Sequence, residues 1–359
     1  MNISDQKSRL FSPSSIAVFF FCAFVFLLFL RPIENEDIWW HLKTGEWILQ
    51  NFQVPRYDLF PFGNEQTPWT FTQWLGSALI AMIDQVSGLS GVKVFRSLFF
   101  AGIIYLFFRY ARGKAGFSLI MVLSLLILPA LYIRSNLRPD IFNYFFIQIF
   151  LIHLFRFQET KDAKHLVPLP LWGILWSNMH LGSFVYGVPL IGTFILANIC
   201  SLIWRKFKNA VGPDDAAVKS GMLIAALGFY VLSFIVSPYG FKALLYPFKV
   251  FLDPSFINFY SASSAVEEMA SPLKVLTGTT GLWAVLLFGL VLFFIFRSED
   301  KANRLLYLLL SVMSFGLFLQ GVRGGSFFAL VVAYVIVQIS KNMAEEKEEA
   351  SDIPPKLTW

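Results

Sequence analysis

The side chains able to do chemistry in this chain are few and fall in short groups. The segment Asp37-Ile-Trp-Trp-His41-Leu-Lys-Thr-Gly-Glu46 follows Glu36 and reads as a helix in which Asp37 and His41, four apart, share a face. A carboxylate there could take the proton of an acceptor hydroxyl as general base, with His41 orienting it or touching a phosphate. Asp37 is equally suited to cap an interfacial helix, leaving His41 as a wet residue on its surface. In Arg134-Ser-Asn-Leu-Arg138-Pro139-Asp140, Pro139 suits the first turn of a helix whose free N–H groups and dipole favour anions. The guanidinium of Arg138 would add a two-pronged donor for phosphate oxygens. A pair with Asp140, or contact with ordinary headgroups, would account for Arg138 as well. His180, in Asn178-Met-His180-Leu-Gly182, is either structural or a further phosphate contact. Arg323, in Gln320-Gly-Val-Arg323-Gly-Gly-Ser326, lies between apolar runs, where an arginine costs about 2.5–3.5 kcal/mol on insertion scales. A bound lipid phosphate, or snorkelling to headgroups, would offset that cost. Glu36 and Asp140 complete the candidate substrate-binding set, and Glu267 and Glu268 are weaker acidic candidates in a later loop.

Composition dictates what must position these residues. The chain has 359 residues, 56% hydrophobic and 14% charged, with 41 Phe, 12 Tyr and 10 Trp. A soluble domain carries roughly a quarter of its residues as charge. Here uncharged stretches reach the ~20 residues needed to cross a bilayer. The expected fold class is an all-α polytopic membrane protein of about ten transmembrane helices plus in-plane juxtamembrane helices, which leaves no room for a separate soluble catalytic domain. Cys22 and Cys200 lie in apolar runs and give neither a disulfide framework nor a cysteine zinc site. The net charge of +6 reflects basic loops and implies no nucleic-acid partner. The absence of a Walker-A loop, a His-Glu-x-x-His motif and a Gly-x-Ser-x-Gly elbow disfavours an ATP-driven pump, a zinc protease and a serine hydrolase.

Hydropathy predicts spans near residues 16–30, 92–108, 117–133, 141–154, 167–178, 183–204, 222–236, 281–296, 305–319 and 327–339. The run 74–86 is short and interrupted by Asp84, which suits a helix lying in the membrane plane. With that run kept in the plane, 18 of the 29 Lys and Arg fall in loops on one side, which the positive-inside rule makes cytoplasmic. Both termini then lie in the cytoplasm, and the first span reads as an uncleaved signal anchor. Residues 1–340 form one integral membrane domain with long outer segments at 31–91 and 237–280, and 341–359 is a charged cytoplasmic tail. This layout gathers Glu36, Asp37, His41, Arg138, Asp140, His180 and Arg323 on the outer face. Few charged residues fall in the middles of the spans, where a transporter would place them along its path.

The same features resemble the GT-C superfamily of membrane glycosyltransferases. The likeness rests on Glu36-Asp37 at the head of a large outer loop, the in-plane helices, and the outer Arg134-to-Asp140 segment. More narrowly, Asp37-to-Glu46, Val54-Pro-Arg-Tyr-Asp58, Ser237-Pro-Tyr-Gly240 and Glu268-Met-Ala-Ser-Pro272 look like a group of bacterial membrane proteins assigned to that superfamily. The resemblance implies inverting transfer of a sugar from a polyprenyl-phosphate carrier at the periplasmic face of the inner membrane, in the service of the cell envelope. Asp37 would be the base, and Arg138, Arg323 and His180 would hold the departing lipid phosphate. Partners would be the lipid-linked donor, membrane lipids, and an acceptor that is a glycan, a lipid or a protein. No cofactor is certain, and a divalent metal is left open. A flippase, or a non-catalytic assembly subunit for a lipid-linked glycan, would use the same residues without chemistry.

Overall fold

Apolar runs of this length fold as helices because a backbone away from water must satisfy its N–H and C=O groups within its own segment. The computed structural model describes residues 13–60, 67–208, 215–252, 279–301 and 303–349. The described helices are α1 Pro13–Phe29, α2 Asp37–Asn51, α3 Trp74–Ala111, α4 Phe117–Ile133, α5 Asn143–Thr160, α6 Pro168–Met179, α7 Phe184–Phe207, α8 Asp215–Ser233, α9 Phe241–Leu252, α10 Thr279–Arg297, α11 Arg304–Leu319 and α12 Gly325–Glu349. Each of the ten predicted runs is occupied by helix. Six helical stretches are long and apolar enough to cross a membrane, and Pro13–Phe29, Phe117–Ile133 and Arg304–Leu319 are shorter apolar helices. This architecture is consistent with a polytopic helical membrane protein. Outward faces agree, since Phe19, Leu27, Leu286 and Phe296 each expose about two thirds of their surface, as lipid-facing side chains do.

The centre of the bundle is α12. A helix apolar on all sides belongs in an interior, and Phe327 to Val337 are each at most 1% exposed. It packs against α4, α10 and α11, and its Tyr334 hydroxyl donates to Gln148 on α5 at 2.8 Å. Gln148 in turn donates to the Ile103 carbonyl on α3 at 3.3 Å, a buried polar tie of the kind that specifies helix partners in lipid.

Polar contacts gather at two opposite ends. At one end, Arg31 reaches Ser135 at 3.0 Å, Leu181 N–H donates to Thr72 O at 2.8 Å, Asn178 donates to Val236 O at 2.7 Å, and Ser326 donates to Ala130 O at 2.8 Å. At the other, Glu159 pairs with Lys114 at 3.5 Å and Lys341 at 3.2 Å, and Gln158 donates to Asn303 at 3.0 Å. The basic loops predicted to share one side thus meet at one end, and the candidate catalytic loops at the other.

Helix α3 would be about 57 Å long if straight, nearly twice a bilayer's hydrocarbon thickness. It breaks at Gly88, whose φ of 64° and ψ of −175° belong to glycine. Both ends of the first half lie at the same end of the bundle. Trp74 Nε1 donates to Asn178 at 2.9 Å, while Arg96, just beyond the break, donates to the carbonyls of Phe29 (3.1 Å) and Arg31. Residues 74–87 therefore run along that end, and the second half passes into the bundle beside α1, where Phe29 and Phe100 stack at 4.3 Å.

Candidate functional site

The site is built on the seam between α2 and the first half of α3. Ile38, Leu42 and Ile48 form the buried stripe of α2, and Ile38 and Leu42 share a small core with Ile80, Ala81 and Val92 of α3 and Leu137 beyond α4. The two helices approach closely because α2 carries Gly45 at the crossing, where a Cβ would lie 2.2 Å from the Ser77 carbonyl oxygen. On α3, Gly76 plays the same part toward the next loop, since a Cβ there would meet Pro139 Cβ at 2.4 Å. These contacts bring the heads of α2 and α3 and the segment 134–140 together.

Asp37 stands at the first turn of α2, where a carboxylate meets the positive end of the helix dipole. Capping is done by its neighbour instead, because Asn35 Oδ1 accepts the Asp37 backbone N–H at 2.8 Å. The Asp37 carboxylate is turned across the gap and forms an ion pair with Arg138. Asp140, beside Arg138 in sequence, takes Arg134 at 2.8 Å. Glu36 precedes the helix with an exposed side chain that makes no cap hydrogen bond.

His41 lies one turn along α2 and is 1% exposed. Its Nδ1 meets Ser77 Oγ at 2.9 Å, and the Trp40 ring sits 3.7 Å away between centroids. Burial, aided by the positive charge of Arg138 and by His180, pushes its pKa from the ordinary 6.5 down to about 3. His180 follows α6, where its Nδ1 faces Asn143 Nδ2 at 3.4 Å. Burial is the main influence on it; Asp140 opposes, Arg323 and Arg134 reinforce, and the pKa falls to about 4. Both rings are therefore neutral near pH 7. Arg323 occupies the short turn Val322–Gly324 before α12. Its charge acts on His180 and, together with Arg134 and Asp140, on Tyr186 of α7.

Burial of a neutral His41 makes stability depend on pH. The unfolded chain binds a proton near 6.5 and the folded chain only near 3, so this contribution to stability is complete above about pH 6.5 and is lost as pH falls toward 3. The thermal midpoint in detergent is expected to drop across that window, and less steeply in His41→Gln than in the wild type. Equal slopes would contradict the burial of a neutral His41.

One end of the bundle thus holds Asp37, His41, Arg138, Asp140, His180 and Arg323, with Asp37 and Arg138 in direct contact and the charges of Arg138, Asp140 and Arg323 felt at His41 or His180. Sequence reasoning passed over several supports. Asn143 bridges His180 and the indole of Trp176, whose Nε1 donates to Asn143 Oδ1 at 2.7 Å. Asn178 joins Trp74 and the end of α8. The signal for these was an amide at one end of an otherwise apolar run. Tyr239 of the Ser237-Pro-Tyr-Gly240 turn donates to Pro55 O at 2.8 Å and accepts the Phe71 N–H at 2.9 Å, pinning the chain between α2 and α3 to the turn before α9. Glu267, Glu268 and the Glu268-to-Pro272 stretch lie outside the described residues. Buried acceptors without a partner remain near the site, among them Asp140 Oδ1, Gln73 Oε1 and the Ser183 hydroxyl.

Among the described residues no three His, Cys, Asp or Glu side chains group as a metal site. The class of protein these observations define is an all-helical protein with apolar helices of membrane-crossing length and an ionic cluster at one end. No protein-family model matches the chain, and no curated protein matches it.

Proposed function

We propose that this protein is an inverting glycosyltransferase of the GT-C kind, transferring a sugar from a polyprenyl-phosphate carrier at the periplasmic face of the inner membrane. In this reading the chain crosses ten times with both termini cytoplasmic, and α2 and residues 74–87 lie in the membrane plane. Support for the layout comes from the basic loops meeting at one end and the ionic cluster at the other.

The observation that carries the proposal is the pairing of Asp37 with Arg138, a carboxylate held against a guanidinium from a separate loop. Asp37 accepts the proton of the acceptor hydroxyl as its oxygen attacks the anomeric carbon. The bond from that carbon to the phosphate oxygen breaks on the opposite face, so the configuration inverts. Charge grows on the leaving phosphate, where Arg138 and Arg323 stabilise it. A donor phosphate competes with Asp37 for Arg138, so donor binding uncovers the base. An apolar cavity of about 190 Å³ lined by Pro129, Ile133, Thr279 and Trp283 reaches Arg134 and suits an isoprenoid tail. The partnerless acceptors near His180 suit sugar hydroxyls.

Affinity for polyprenyl phosphate, measured on the purified protein by native mass spectrometry, tests the phosphate contacts. Loss of one charge-assisted contact is worth about 1.5–3 kcal/mol, so Arg138→Ala and Arg323→Ala should each weaken binding by roughly 10- to 100-fold. Unchanged affinity in both would remove the phosphate site.

A further inference from the structure

Beyond the ionic cluster, the far half of α2 forms one wall of a cavity of about 950 Å³, near the top of the ~300–1,000 Å³ range of small-molecule pockets. The opposite wall is the segment after α2. There Asp58 N–H donates to Thr67 O at 2.9 Å and Trp69 N–H donates to Arg56 O at 3.0 Å, tying residues 56–58 to residues 67–69. Arg56 further donates to Pro238 O at 3.2 Å, and Tyr239 holds Pro55, so the wall is fixed to the turn before α9.

The lining joins two kinds of chemistry. Trp47, Tyr57 and Phe60 offer aromatic surface, with Tyr57 and Phe60 43% and 47% exposed. Glu46, Gln50 and Asp58 offer acceptors, and the Gln50 amide offers donors as well. Asp58 is oriented in advance, because its Oδ1 accepts the Phe60 N–H at 3.0 Å. Formal charge balances, as Lys43 and Arg56 oppose Glu46 and Asp58, and Lys43 already pairs with Glu46 at 2.7 Å. A charge-balanced cleft favours a neutral ligand over a phosphate or a nucleotide. The ligand that needs both an aromatic floor and many hydrogen-bonding partners is a sugar, whose ring carries C–H groups on its faces and hydroxyls around its edge.

We propose that this cleft binds the acceptor, and that the acceptor is an oligosaccharide. The inference rests on the glycosyltransferase reading for the word acceptor alone; the chemistry of the cleft stands without it. Trp47 lies on the same helix as Asp37, ten residues on, or about 15 Å along the axis and roughly 80° round it. A short glycan seated on Trp47 spans that distance and delivers its terminal hydroxyl to the Asp37 carboxylate. The cleft thereby sets acceptor choice, while the ionic cluster handles the donor.

The test is retention on a printed array of hexose, N-acetylhexosamine and uronic-acid oligomers by the full-length protein in nanodiscs, followed by titration of the retained glycan. Binding is expected to weaken about tenfold or more in Trp47→Ala and in Asp58→Asn. Asp58 is a surface group, and its variant, checked by thermal midpoint, guards against a folding defect in Trp47→Ala. If no array glycan is retained, or if both variants hold it as tightly as the wild type, the cleft is not a saccharide site. Donor turnover without glycan retention would leave the catalytic reading standing and remove this one. Glycan retention without donor turnover would do the reverse.

Discussion

Asp37→Asn is expected to lower the rate of sugar transfer by about 10²- to 10⁴-fold, the range over which positioned general bases act. Asparagine keeps the size of the side chain and can still accept from Arg138 through its amide oxygen, so the head of α2 should fold as before. What it loses is the ability to take a proton. The ion pair with Arg138 adds a second expectation. With the carboxylate neutralised, Arg138 is held less tightly and polyprenyl phosphate should bind at least as well as in the wild type. A large fall in kcat with donor affinity kept or improved distinguishes a base from a structural residue, since a structural defect would lower both. Undiminished transfer in Asp37→Asn would assign the base elsewhere.

Trp176→Ala is the substitution expected to cost most stability, about 3–5 kcal/mol for a buried large aromatic truncated to alanine. Trp176 is fully buried, stacked on Phe146 at 5.5 Å between centroids and edge-on to Phe150 at 4.9 Å. In lipid the transfer part of that cost shrinks, but lost dispersion contacts and an unfilled cavity remain. The indole also orients Asn143, which faces His180. Trp176→Phe keeps most of the packing and removes only the N–H, leaving Asn143 Oδ1 buried without its donor at a cost of about 1–3 kcal/mol. Thermal midpoints in detergent should therefore rank wild type above Trp176→Phe above Trp176→Ala. A Trp176→Phe protein as stable as the wild type would show that the bond to Asn143 carries no weight.

Much of the helix pattern could be read from the chain, because in an apolar environment an uncharged run has few alternatives to a helix. The break in α3 was also legible in part, since the run from Trp74 is short and interrupted by Asp84 before the second apolar run begins. Pairings were not. Nothing in Arg134-to-Asp140 says that Arg134 takes Asp140 while Arg138 crosses to Asp37. That choice depends on how closely α2, α3 and the loop approach, and Gly45 and Gly76 set it through contacts between segments far apart in sequence. His41 is an intermediate case. It falls on the Ile38-Leu42-Gly45-Ile48 stripe of α2, so its burial against Ser77 is implied by helical period once that stripe is known to meet another helix. The aromatic cleft beyond Trp47 was hidden for a different reason. Its walls come from α2 and the segment after it, and no helical period brings Trp47 together with Tyr57 and Phe60.

The measurement that bears most directly on the central claim follows a polyprenyl-phosphate sugar, labelled in the sugar, in vesicles containing the purified protein. Transfer predicts that the label leaves the lipid and that unloaded polyprenyl phosphate accumulates in step with it, in the wild type and far more slowly in Asp37→Asn. A donor that stays intact while moving from one leaflet to the other would contradict the account, and would instead mark the ionic cluster as the phosphate clamp of a flippase.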